Sequence, residues 1–333
     1  MANMVSAKKK IALLHRYPEH CIKETNASFP YLQEKGIDVL TFKKFDRLSG
    51  GMKFWKSLAW VFYAPLLVLG KGYDVIYCDD SYPFYPALVK LASPRSKIVI
   101  RLGDLHLMYY YSGWVYDFLH FFEKMAWRMM DKIIVISDAM ADYVEAETGD
   151  RPEIALDPVD PKDFHLIGAK SHGTVMFHGV LTKNKGVDIL LEAAKKLPAV
   201  YFVILGDGPD RKRLENLAPS NVFFKGWVAF EKIKWVINTC AVGVALRSDN
   251  PGNEYVVTSP FLQYGIMGKP CLVTRRKVFG DYEWQFSGVD EFIAKLKYLL
   301  EYPQDKQGEK LREYILANHR ADKIGEQIWQ ILT

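Results

Sequence analysis

Cysteine is scarce: four residues in a chain of 333, at Cys21, Cys78, Cys240 and Cys271, far apart, with no Cys-x-x-Cys pair and, for the last three, no histidine beside them. That excludes a disulfide scaffold and a cysteine-based metal centre, and it reads as buried free thiols in a reducing compartment. Long apolar runs are missing too. The longest, Phe54 to Leu69, is broken by Lys56, Ser57 and Pro65 and falls short of the roughly 20 residues a membrane-spanning helix needs. Ile11 to Leu14, behind Lys8, Lys9 and Lys10, is too short for a signal-peptide core, so the expected location is cytoplasmic. Neither sign of charge dominates: 44 basic residues stand against 39 acidic ones, a net of +5. Without a basic motif that balance argues against nucleic acid as a partner.

What is present is a globular composition, 49% hydrophobic and 25% charged, in a chain longer than one hydrophobic core usually serves. Two domains are therefore expected. Short apolar runs alternate with helical patterns, as in parallel sheets with crossover helices. The first set comprises Ile11 to His15, Ile37 to Phe42, Val75 to Cys78, Lys97 to Arg101 and Lys132 to Ile136. Their continuous apolarity predicts strands covered on both faces. The cycle restarts with Thr174 to His178, Tyr201 to Leu205, Val222 to Lys225, Val242 to Ala245 and Cys271 to Thr274. Asp157 to Ser171, with Pro158, Pro161 and Gly168, reads as the linker. The expected architecture is α/β, two Rossmann-like domains whose parallel sheets face each other across a cleft. Residues 1–168 form the first domain, 169–315 the second, and 316–333 a C-terminal helix that returns to the first domain.

Several residues stand where open parallel sheets bind ligands, beyond the carboxyl ends of strands. Lys183, Lys185 and Gly186 follow one strand and precede a helix, suited to an anion or to no more than a surface turn. Gly206, Asp207 and Gly208 make a tight turn after the next strand, and Gly226, Trp227 and Val228 follow the one after. Trp227 is read as a core residue or as part of a ligand-binding loop. Thr258, Ser259 and Pro260 give a hydroxyl cap and an early proline to the helix that follows. Asp79 and Asp80 are a carboxylate pair, more in keeping with helix capping than with a metal. The aromatic-rich stretches Leu105 to Met130 and Phe54 to Tyr63 are expected in the core for the most part, with an acceptor groove or a membrane interface as the alternatives. The run Tyr109, Tyr110, Tyr111 cannot face one core entirely, and at least one ring is expected to be accessible, to a sugar for example.

The phrases Lys185-Gly-Val-Asp-Ile-Leu-Leu-Glu-Ala-Ala and Gly206-Asp-Gly-Pro closely resemble the donor-binding half of family-4 retaining glycosyltransferases of the GT-B fold. Val135 to Ser137, Val159-Asp160 with Phe164, and Gly268-Lys269-Pro270 extend the resemblance over nearly the whole chain. It implies transfer of a hexose from a nucleoside diphosphate sugar to a glycan, a lipid-linked acceptor or another hydroxyl, with no cofactor and no metal. Lys185 would neutralise the departing diphosphate, with Gly179, Lys183, Gly206, Asp207 and Ser259 around it. Gly226 to Val228 would hold the base, Glu254 and Gln263 would grip donor hydroxyls, and Asp104 would orient acceptor or sugar, with Tyr109 to Tyr111 on the acceptor side.

The chain also departs from that pattern. Val180 stands where the family has a phosphate-binding arginine, with Lys183 as the candidate substitute. Tyr255 and Gln263 stand where it has paired glutamates, and Gly103-Asp104 replaces its His-Asp. His15-Arg16-Tyr17-Pro18 replaces the glycine-rich loop after the first strand. Together these leave a second expectation: a weakened GT-B protein that binds nucleotide or glycan as a partner subunit.

Overall fold

The computed structural model describes residues 9–16, 26–41, 53–79, 84–166, 173–302 and 305–333. The chain forms two compact units, residues 1–156 with 322–333, and residues 157–321. Gly168, where the domain boundary was expected, lies outside the described residues, as do Cys21 and Asp80. The chain leaves the first unit after Leu156 and re-enters it at Asp322, so the expected tail region 316–333 is divided between the two.

The first unit carries β1 (Ile11–His15), β2 (Asp38–Thr41), β3 (Val75–Asp79), β4 (Lys97–Leu102), β5 (Lys132–Val135) and β6 (Glu153–Ile154) in one parallel sheet of order β2-β1-β3-β4-β5-β6. Its helices are α1 (Phe29–Glu34), α2 (Lys53–Val68), α3 (Tyr85–Ala92), α4 (His106–Tyr110), α5 (Gly113–Arg128) and α6 (Asp138–Thr148). β1 and β3 are buried along their whole length, as their unbroken apolar sequences require of strands covered on both faces. Helix α6 starts where Ser137 Oγ accepts the Met140 N–H at 3.1 Å, a side-chain cap on an otherwise unpaired donor.

The second unit has β7 (Thr174–His178), β8 (Phe202–Leu205), β9 (Val222–Gly226), β10 (Cys240–Ala245), β11 (Cys271–Thr274) and β12 (Gln285–Phe286), again all parallel, in the order β12-β11-β10-β7-β8-β9. Helices α7 (Asp188–Lys196), α8 (Arg211–Leu217), α9 (Phe230–Thr239), α10 (Ser259–Ile266), α11 (Val289–Glu301) and α12 (Asp305–Asn318) accompany them, followed by α13 (Ala321–Leu332). The strand order reverses between β7 and β10 here, and between β1 and β3 in the first unit. A chain that winds outward in both directions from such a point leaves the loops there splayed to opposite faces, and a ligand crevice opens at the strands' carboxyl ends.

Apolar side chains cover both faces of the second sheet. Val175, Leu190, Leu191 and Phe202 belong to one cluster, and Met176, Phe261, Tyr264 and Ile315 to another. In the first unit, Ile324, Ile328 and Leu332 of α13 pack with Leu13, Phe29, Val75 and Tyr77. At about 1.5–3 kcal/mol for each fully buried aliphatic side chain, α13 contributes several kcal/mol to that core.

Helix α5 corrects the expectation that the aromatic stretch is core. Trp114, Phe118, Phe121, Phe122, Met125 and Met129 are all exposed, Trp114 by 78%. Their spacing of three, four and seven places them on one face. The opposite face is the inner one, and it carries Trp127 together with the polar pair His120 and Glu123, joined at 3.0 Å. Tyr143 of α6 lies 3.1 Å from the other His120 ring nitrogen, so this buried polar pair is satisfied within the unit while the apolar stripe of α5 is exposed. On α2, Trp60 is buried but Phe62 and Leu66 are exposed, as is Leu69 just beyond the helix.

Candidate functional site

At the carboxyl end of β7 the chain passes from His178 into Gly179, whose N–H bonds the Leu205 carbonyl at 3.0 Å. The Gly206 N–H bonds Gly226 O at 2.7 Å, and the Leu181 N–H bonds Asp207 O at 2.9 Å. The loops after β7, β8 and β9 are thus tied edge to edge. This closeness demands glycine: a Cβ on Gly206 would lie 1.9 Å from Gly179 O, and its φ of +126 is also one that side chains avoid. Asp207 accepts the Gly208 N–H at 2.7 Å and faces Arg211 at 3.0 Å, and these partners hold its carboxyl below the usual range. The Gly-Asp-Gly turn therefore has a structural task of its own.

Lys183 to Lys185 form one 3-10 turn, closed by Gly186 at φ +66, and α7 begins only at Asp188. The lysines sit on a turn between the strand and the helix, where the sequence put them. Asp188 is taken by Arg213 at 2.6 and 2.8 Å, and the same guanidinium bonds Asp210 at 2.7 Å. That bridge fixes the start of α7 against α8 and holds the Asp188 carboxyl below its ordinary value. Trp227 is 74% exposed, so the core reading of this residue is wrong, whereas Val228 packs against the core.

Gln263, at the second expected glutamate position, and Glu254, one residue before the first, are both engaged. Gln263 of α10 lies 2.6 Å from His178 Nε2, while His178 Nδ1 is 2.9 Å from the Tyr264 hydroxyl, which in turn meets Met176 O at 2.8 Å. Burial pushes the His178 ring down to about 4, outweighing the Gln263 contact, so the ring is neutral near pH 7. A neutral ring donates from one nitrogen and accepts at the other, and Gln263 and Tyr264 fix it from both sides. Glu254 ends the 3-10 turn Pro251–Glu254 and accepts the Lys277 N–H at 3.0 Å, with Arg276 at 3.5 Å. Thr258 accepts the Phe261 N–H at 3.4 Å and caps α10, beside an exposed Ser259.

In the first unit, Asp104 follows β4 and accepts a hydrogen bond from Tyr109 at 3.4 Å, bringing two of the expected residues together. Tyr110 is 75% exposed and Tyr111 is exposed as well. The sequence reading missed a buried cluster at this sheet's reversal: Asp79 lies 3.5 Å from His15 and 3.3 Å from Arg101. Burial works to raise the Asp79 carboxyl, yet Arg101 and His15 outweigh it and hold it below the usual range. A signal was available, since His15 and Arg101 are polar residues near the ends of apolar strands. The same signal marks Arg247 after β10, which the sequence reading also passed over. Among the described residues no group of three or more His, Cys, Asp or Glu could hold a metal ion, and no helix is long and apolar enough to cross a membrane.

Comparison with known proteins falls on both units. A family model described as Glycosyltransferase Family 4 matches residues 25–162, and one described as Glycosyl transferases group 1 matches residues 172–301. An uncharacterized glycosyltransferase, MJ1178 of Methanocaldococcus jannaschii, is 26% identical over 211 residues, 62% of this chain and 56% of that protein. The lipopolysaccharide core biosynthesis glycosyltransferase LpsE of Rhizobium meliloti is 41% identical over 58 residues, 16% of this chain and 17% of that protein. The matches thus span little more than half of the first relative and a small part of the second. Among solved structures, the sucrose-phosphate synthase of Thermosynechococcus elongatus is similar with a TM-score of 0.79 at 14% identity, over 97% of this chain and 98% of that one. HepE of Anabaena, solved with UDP and glucose, gives 0.72 at 15%, over 97% and 99%. At these identities the structures speak for a shared fold.

Proposed function

We propose that this chain, which belongs to the group 1 glycosyltransferases of the GT-B fold, is a metal-independent retaining transferase that moves a hexose from a nucleoside diphosphate sugar to a glycan or lipid-linked acceptor. The observation that carries the reading is the Lys183–Gly186 turn, set beside the β7 and β10 reversal within the segment that the group 1 family model matches. Cations at such a crevice suit a diphosphate, the leaving group of such a transfer.

In this reading Lys185 neutralises the departing diphosphate. Gly226 to Val228 meet the base, with Trp227 free to lie against it, and Gln263, oriented by neutral His178, meets donor hydroxyls. Glu254, already shared with the Lys277 amide and Arg276, holds its loop as well as the sugar. Asp104, paired with Tyr109, orients the acceptor in the first unit, where exposed Tyr110 offers a ring to stack on a sugar. The uncovered stripe of α5 supports a peripheral position on a membrane, since tryptophan and phenylalanine on one face of a helix partition into the interface. A lipid-linked acceptor would be met there.

The test is calorimetric titration with UDP, GDP, ADP and their common sugar conjugates, then release of free sugar from whichever conjugate binds, with and without EDTA. Saturable binding with slow, EDTA-resistant hydrolysis is expected. NMR of the product anomer decides retention. If no nucleotide binds at millimolar concentration the transferase reading falls, and the partner-subunit reading takes its place.

A further inference from the structure

Arg247 stands two residues beyond the end of β10, at the strand-order reversal of the second unit, and its backbone is fixed on several sides. Its N–H bonds Thr274 Oγ1 at 3.0 Å, and its carbonyl accepts from Arg276 at 3.1 Å. The next carbonyl, that of Ser248, takes the Arg276 guanidinium at 2.7 Å and the Asn253 amide at 2.9 Å. The loop rests directly on the lysine turn: a Cβ built on Gly186 would lie 3.6 Å from Ser248 N and 3.8 Å from the Arg247 carbonyl carbon. Within this network, among the described residues, the Arg247 guanidinium takes no part in a hydrogen bond or ion pair. Its Nε is shielded from solvent and has no hydrogen-bond partner, and among the described residues no carboxylate pairs with the group. The other arginines around the loops of this unit, Arg211, Arg213, Arg275 and Arg276, are each paired with carboxylates.

A half-buried guanidinium whose backbone is pinned and whose donors are unused is costly to keep unless an anion completes it. Arginine also suits phosphate, because its planar fork offers parallel N–H donors. We infer that Arg247, across the β7 and β10 crevice from Lys185, is a phosphate-binding cation of this site, and that its ligand is the diphosphate of a nucleoside diphosphate. The inference deepens the reading above and rests on it for the nucleoside part. It explains how the site dispenses with an arginine after Gly179: the cation comes from the end of β10 instead of from Val180, which is 58% exposed. Lys183, also exposed, is then not needed as the substitute.

The experiment compares wild type, Arg247→Gln, Arg247→Lys and the double variant Val180→Arg/Arg247→Gln by calorimetry, with UDP, GDP, ADP, inorganic pyrophosphate and the parent nucleosides as probes. Thermal melts accompany each, and because the guanidinium bonds none of the described residues, unchanged melting temperatures are expected. Wild type should bind one nucleoside diphosphate. Arg247→Gln should bind it at least tenfold more weakly with unchanged nucleoside affinity, Arg247→Lys should lose less, and the double variant should regain part of the loss. Equal diphosphate affinity in wild type and Arg247→Gln overturns the inference and leaves the proposed function standing. Binding of pyrophosphate that depends on Arg247, with no nucleotide bound, sinks the proposed function and keeps the cation site. Binding of neither probe by wild type overturns both.

Discussion

The ring of Tyr264 lies over Gly243 so closely that a Cβ on that glycine would stand 2.3 Å from Tyr264 Cγ. Helix α10 can approach β10 only because the strand has no side chain at that point, and the approach delivers the Tyr264 hydroxyl to His178 and to Met176 O. Gly243→Ala should destabilise the protein by about 1–3 kcal/mol, the usual cost of overpacking a core. Urea unfolding measures it. Combination with Tyr264→Leu should cost less than the sum of the single changes, and strict additivity would show that the ring and the glycine are not coupled.

His178 makes stability depend on pH with a definite sign. Its folded value is about 4, below the ordinary 6.5, so between those limits the unfolded chain binds the proton and the folded chain does not. Stability from this group is complete above about 6.5 and falls as the pH drops towards 4, by roughly 2–3 kcal/mol across the window. His319, also lowered by burial, acts in the same direction, so the comparison needs a variant. In His178→Gln the slope of unfolding free energy between pH 6 and 4.5 should fall by up to about 1.4 kcal/mol per pH unit relative to wild type. Parallel slopes would mean that the ring is already protonated in the fold.

Lys185→Ala should lower the transfer rate by about a hundredfold or more, the scale expected when a charge that meets a leaving group is removed. Lys185 is half-buried, so a thermal melt accompanies the assay and separates loss of rate from loss of fold. Single-turnover assay with the bound donor reads the rate. Retained activity would move the diphosphate away from this turn.

The stripe on α5 gives a lipid prediction. Phe118→Ser with Phe121→Ser should weaken sedimentation with vesicles of mixed anionic and neutral lipid by roughly tenfold, since interfacial affinity scales with buried apolar area. The pair is exposed, so folding should be indifferent. Wild type that stays in the supernatant at every lipid concentration would refute the membrane role.

The continuous runs behind β1, β3, β7 and β10 declared both sheets, because strands covered on two faces have no polar alternation to hide them. β6 and β12, two residues each, carry no period that a sequence can show. Aromaticity in α5 was legible as a pattern but misassigned, since a periodic apolar face does not say whether protein or something else covers it. The lysine turn was visible from its spacing, and the resemblance supplied its meaning. Arg247 and the His15, Asp79 and Arg101 cluster were not, because their significance lies in which neighbours they do or do not find across strands far apart in sequence. Glu254 and Gln263 were identified by position, but their bonds to the Lys277 amide and to His178 needed the fold.

The first unit is discontinuous in sequence, with α13 supplying Ile324, Ile328 and Leu332 to a core that otherwise ends at residue 156. On a ribosome adding about 5–20 residues each second, that core waits for the whole second unit to be made before its last side chains emerge. The half that is translated first is therefore the half that finishes last. A nascent chain stalled before residue 322 would hold a closed second unit beside an unsealed first one, which makes that interval the natural window for chaperone capture and for proteolysis.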